Sequence, residues 1–146
     1  MKALAELPTF SVKHQAMVER LRQMRRRQDD PRVLTLCIVE VLRWAKDYSG
    51  ARRELTELLA VRRDDPDILK QLAALAEAQN DWENAVTYQE RVVAQVPNRE
   101  NLETLARLYK QRGDEAAEAK VWERILDEIN DADTLVDIVE RLVRRN

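Results

Sequence analysis

The feature that most narrows what this chain can fold into is a recurrence. Ala51, Ala85 and Ala119 stand 34 residues apart, and so do Leu58, Val92 and Leu126. Between them Ile38, Leu72, Leu105 and Ile138 return at 34, 33 and 33 residues, and the same intervals hold for Val39, Ala73, Ala106 and Val139 and for Leu42, Ala76, Tyr109 and Leu142. Self-similarity at a fixed period of this length marks one supersecondary unit stacked on copies of itself. Within each period apolar residues recur at helical spacing, and turn signals interrupt them about every dozen residues. The unit is a helix pair, and no segment makes a convincing strand.

The stops place eight helices. Val12 to about Arg27 comes first, with Met17, Leu21 and Met24 read as one face, and ends at Asp29-Asp30-Pro31. Arg32 to Lys46 follows, then a third helix ending near Arg63, before Asp64-Asp65-Pro66 repeats the earlier stop. Asp before Pro offers a cap, and Pro in the first helical turn loses no hydrogen bond. The remaining helices are expected over Pro66–Gln79, Trp82–Val96, Arg99–Arg112, Asp114–Ile129 and Asp133–Arg145.

Composition agrees with this reading and excludes others. Only two of 146 residues are Gly, where average usage of about 7% would supply roughly ten. Many-turned β sandwiches, phosphate loops and dinucleotide turns need more glycine than this. One Cys and one His cannot form a disulfide or a Cys/His zinc site. Cys37, in the run Val33-Leu34-Thr35-Leu36-Cys37-Ile38-Val39, reads as a small core residue. A net charge of −2 gives no general attraction to nucleic acid or anionic membrane. No apolar stretch is long enough to span a bilayer, and the first eight residues lack a signal-peptide core. The expectation is a cytoplasmic protein with no cofactor.

A helix-turn-helix unit of this period and internal order resembles the tetratricopeptide repeat over about Arg32 to Asn146. The copies that carry the likeness are Leu72-Ala73, Asn80-Asp81-Trp82, Ala85 and Pro97-Asn98, then Leu105-Ala106, Tyr109, Gly113-Asp114 and Ala119. Val39 and Val139 stand where that family prefers a small residue, only Pro97 holds the closing position, and the third unit reads as carrying one extra residue between Gly113 and Ala119. The resemblance implies an all-α protein whose antiparallel helix pairs stack into a right-handed α-solenoid. Residues 1–11 would form a loose N-terminus, 12–31 a half-repeat helix, 32–65, 66–98 and 99–131 three repeats, and 132–146 a capping or truncated-repeat helix.

The last helix carries six apolar residues among Leu135–Val143, more than one narrow stripe requires. It serves either as a cap or as an exposed apolar edge, and Ile138 and Leu142 are the expected self-association residues of the second reading.

Candidate chemistry is sparse. A nucleophilic set would need His14 with a buried Cys37, so no enzyme activity is expected. The acid pairs Asp29-Asp30, Asp64-Asp65 and Asp114-Glu115 sit at helix starts, where negative charge satisfies free N–H groups, and Asp131 and Asp133 are read alike. Arg20, Arg22, Arg25, Arg26 and Arg27 form the one basic concentration. It reads as a solvated helix end or a contact for an acidic partner, and less readily as an RNA or membrane adaptor, since no aromatics interleave for base stacking.

The resemblance further implies a peptide or protein partner in the concave groove lined by the first helix of each pair. The residues facing it would be Val33, Leu36, Glu40, Arg43 and Trp44, then Asp67, Lys70, Gln71, Ala74 and Glu77, then Glu100, Glu103, Arg107, Lys110 and Gln111. Lys70, Arg107 and Lys110 are the favoured cationic contacts, and Trp44 beside Arg43 reads as a core or edge packing residue or, from its composition, as a binding hot spot. Phe10 could instead cover Val33 and Leu36. The Lys/Asn clamp for a C-terminal carboxylate, found in chaperone-binding members, has no counterpart at Leu36 and Glu40. A non-enzymatic scaffold for protein interaction is the reading that results, with self-association as the alternative.

Overall fold

The computed structural model describes residues 8–128 and 132–144, with side chains over 12–128 and 134–144. They form eight α-helices and, among the described residues, no strand: α1 Pro8–Arg25, α2 Arg32–Trp44, α3 Tyr48–Val61, α4 Pro66–Ala78, α5 Trp82–Gln95, α6 Arg99–Arg112, α7 Glu115–Asp127 and α8 Ala132–Arg144. The first starts four residues before Val12, so it reaches back into part of the segment expected to be loose, while the other boundaries shift by two residues at most. Each helix from α1 to α6 packs against the next in the chain.

The repeat is visible in the backbone. At the turn inside each hairpin one residue enters the left-handed region: Lys46 at φ 60°, Asn80 at φ 56° and Gly113 at φ 84°. Its N–H donates to the carbonyl three residues back, at 2.9 Å to Arg43, 3.0 Å to Glu77 and 3.0 Å to Lys110. The N–H of the following Asp donates to the carbonyl five residues back, which completes a Schellman stop. That Asp then opens the next helix. Asp47, Asp81 and Asp114 accept from the N–H groups of Gly50, Asn84 and Ala117 at 2.8, 3.3 and 3.0 Å. One device thus ends a helix, reverses the chain and caps the next helix. Gly50 is not a turn residue; it lies inside α3.

The caps settle the register of the third unit. Asp114 follows Asp81 by 33 residues, so α7 carries no extra residue, contrary to the expectation from Ala119. Ala119 is exposed, and Ile125, not Leu126, is buried at the place of Leu58 and Val92. Glu118 stands where Ala51 and Ala85 stand, and its carboxylate accepts the Trp122 indole N–H at 3.3 Å.

Two apolar clusters make the core. One joins Val18 to Ile38, Val39, Leu42, Leu55 and Leu72, and the other joins Val86, Leu102, Leu105, Leu108, Ile125 and Ile138. Cys37 belongs to neither and is exposed. Burial at α2 falls on Thr35, Ile38, Val39 and Leu42, and the helical period turns Cys37 away from that stripe. Met17 and Met24 are likewise exposed, because α1 turns Val18 and half-buried Leu21, Arg22 and Arg25 inward.

Candidate functional site

The first helices of the pairs are bridged to one another by side chains. Arg32 donates to Asp67 at 2.6 Å, linking α2 to α4, and Arg43 reaches Gln71 at 3.4 Å. Arg107 of α6 pairs with Glu77 of α4, and Arg99 of α6 lies 3.8 Å from Asp137 of α8. The α2–α4–α6 face these bridges cross carries most of the residues expected to bind a partner.

Three hollows lie along this run. One of about 470 Å³ between α2 and α4 is lined by Leu36, Arg43, Lys70, Gln71 and Ala74. A smaller one of about 180 Å³ between α4 and α6 shares Lys70 and Ala74 and adds Glu77, Glu100 and Arg107. The third, about 530 Å³, brings Arg107 and Lys110 together with Glu115, Trp122 and Leu142. Shared lining residues chain the three together.

Charge along the face is sorted by what is already paired. Arg32 is held by Asp67, Arg43 by Glu40 at 3.0 Å, Arg99 by Glu103 at 2.7 Å, and Arg107 by Glu77. Lys70 and Lys110 are exposed and form no ion pair among the described residues. The expected trio of cationic contacts therefore divides: Arg107 lines two hollows with its charge answered by Glu77, while the two lysines are unanswered. Val33 and Trp44 are exposed, Leu36 is half-buried against the first core cluster, and Gln111 is exposed but lines none of these hollows. The Phe10 side chain lies outside the described residues.

Ile138 does not form an exposed edge. It is 1% exposed, inside the second core cluster, and Leu142 packs half-buried against the same cluster. The bare face of α8 is instead Val136, Val139 and Val143.

The basic helix is only partly a surface feature. Arg22 donates to one oxygen of Glu54 through Nε at 2.9 Å and Nη2 at 2.6 Å, and Arg25 donates to the other oxygen at 2.6 Å and to the Thr35 hydroxyl at 3.1 Å. Glu54 is buried. Burial alone would raise its pKa, but the hydrogen bonds from Arg25 and Arg22 and their charges outweigh that and hold it below the usual carboxylate range. Arg20, Arg26 and Arg27 remain exposed. Nothing in the sequence pattern marks this cluster, since its members are far apart in the chain.

One member of each acid pair accepts from N–H groups at a helix start. Asp30 accepts from the Arg32 N–H at 2.9 Å, and Asp65 accepts from Asp67 at 3.0 Å and Ile68 at 3.4 Å. The same pairs tie successive units, with Asp64 bound by Arg91 at 2.7 Å and Asp30 by Arg62 at 3.1 Å. The Asp131 and Asp133 side chains lie outside the described residues. No helix among the described residues is long and apolar enough to cross a membrane. Comparison with protein-family models finds no match, and comparison with curated proteins finds none either.

Proposed function

We propose that this chain is a tetratricopeptide-like, non-enzymatic binding scaffold, a right-handed solenoid whose concave face, built by α2, α4 and α6, receives an extended acidic segment of a protein partner. The observation that carries the reading is the charge pattern of that face. Arg32, Arg43, Arg99 and Arg107 are neutralised within the chain, whereas Lys70 and Lys110 are exposed and unanswered. An exposed lysine outside any ion pair is available to a carboxylate of a partner. The hollow beside Trp122 and Leu142 offers an apolar side chain of the same segment a seat next to Lys110. The bridges among the first helices hold this face in shape before a ligand arrives, which lowers the ordering cost of binding.

Fluorescence polarisation with labelled dodecapeptides tests this directly, using acidic, neutral and basic members of equal hydrophobicity. Acidic peptides should bind best, and Lys70→Glu with Lys110→Glu together should weaken them at least about tenfold, since two rim contacts of about 0.5–1 kcal/mol each are lost and replaced by repulsion. Arg107→Gln should cost less than either lysine reversal. Equal binding of all three peptide classes, or indifference to the double reversal, would remove the proposal.

A further inference from the structure

We infer that copies of this chain associate head to tail, with α1 of one copy docking on α8 of the next to rebuild the interface that closes each helix pair. The internal repeat shows what each bare edge is missing. Val139 occupies the place of Val39, Ala73 and Ala106, which are 0%, 6% and 0% exposed, yet Val139 is 51% exposed. Those three residues lie on helices followed by a partner helix, and no described helix follows α8. The partner helix is therefore what covers this position.

At the other end the complementary half is bare. Met24 occupies the place of Leu58, Val92 and Ile125, all buried, and Met17 the place of Ala51 and Ala85, also buried. Met17 and Met24 are 52% and 48% exposed, and no described helix precedes α1. The interface between first and second helix thus forms three times within the chain, and its two halves stand open at opposite ends.

On α1, Lys13, Met17, Arg20 and Met24 share one exposed face by helical spacing. On α8, Val136, Val139, Glu140 and Val143 share a face, with Glu140 already paired to Arg144 at 2.9 Å, so apolar contact carries the match. An occupant that carries the missing half of this interface is a second copy of this chain. Such a contact joins two different patches, so it does not close on itself and adds copies in a row.

The test is the mass of the full chain by light scattering, with two blocking variants: Val139→Glu, which closes the α8 edge, and Met17→Glu with Met24→Glu, which closes the α1 edge. All three sites are solvent-exposed, and circular dichroism of each variant verifies that its helices are retained. The unsubstituted chain should gain mass continuously between about 1 µM and about 1 mM. Each blocked variant alone should be monomeric, and their mixture should form a one-to-one dimer that grows no further. An unsubstituted chain that stays monomeric throughout overturns the inference. So does a blocked variant that still dimerises alone, which would indicate a symmetric contact, and so does a mixture that stays monomeric.

Discussion

Replacing Glu54 by Gln keeps the shape of the side chain and deletes the charge that two arginines of α1 enclose. Arg22 and Arg25 each donate to it at 2.6 Å, and Glu54 itself is only 4% exposed. Removing one member of a fully buried ion pair costs about 3–5 kcal/mol because the other charge is left without compensation. Here the arginines keep 29% and 22% of their side-chain exposure, so water takes up part of the loss and about 2–3 kcal/mol is expected. For a chain of this size that lowers the midpoint of thermal unfolding by roughly 5–10 °C. Helices here pack on their neighbours in the chain, so the loss is local before it is global. Hydrogen exchange should therefore accelerate across α1 first, with α5 changing least. The acid limb supplies a second readout. The pKa of Glu54 is depressed in the fold, so its contribution is complete above the unfolded carboxylate value and fades as the pH falls through the lower folded value. The unsubstituted chain should lose this part of its stability below about pH 4, and Glu54→Gln should lack that part of the slope. An unchanged midpoint together with unchanged exchange in α1 would refute the reasoning, because the cluster would then hold nothing.

The hairpin turns predict that Lys46→Gly stabilises the protein by up to about 1 kcal/mol in urea denaturation, since Lys46 holds a left-handed φ of 60° that glycine adopts without strain. Gly113→Ala, at φ 84°, should cost about the same amount by the same measurement. Asp81→Ala removes the acceptor for the Asn84 N–H and should cost about 1 kcal/mol; unfolding midpoints across acid pH should show the difference shrinking, because the Asn84 amide and N–H hold the Asp81 pKa low. Tyr109, buried and donating its hydroxyl to Glu90, has its pKa pushed up to about 12, so ultraviolet titration of the folded chain should show its ionisation missing from Tyr109→Phe only at that end of the range. Because the proton is held more tightly in the fold, the stability Tyr109 adds is present below about pH 10 and lost as the pH rises toward 12.

What could be read from the sequence was whatever depends on neighbours within one turn. Helix starts at Asp47, Asp65, Asp81 and Asp114 follow from cap chemistry that involves the next two or three residues. Register failed where two tracks fit equally well: Ala119 and Leu126 continue a spacing of 34, but Asp114 sits 33 after Asp81, and the cap, not the apolar track, positions the helix. Glu54 and its two arginines were illegible for a different reason. Arg and Glu mark surface in any periodicity argument, and only the approach of α1 to α3 turns three of them into an interior. Cys37 failed in reverse, an apolar residue in an apolar run that the helical period nonetheless faces outward.

The repeat also separates packing from recognition without any second sequence, because each unit serves as a comparison for the others. At one position the units read Ile38, Leu72, Leu105 and Ile138, all buried. Two residues earlier they read Leu36, Lys70, Glu103 and Val136, and five later Arg43, Glu77, Lys110 and Val143, none of them buried. Packing asks the same of every unit and so holds its positions alike. These two tracks differ from unit to unit, and they are the tracks that line the hollows at Leu36, Lys70, Arg43, Glu77 and Lys110. A partner that follows successive rungs meets a different chemistry at each. The proposed function therefore calls for a non-repetitive partner that lies in one direction, so an acidic peptide that fits Lys70 and Lys110 should bind more weakly when its sequence is reversed at the same composition.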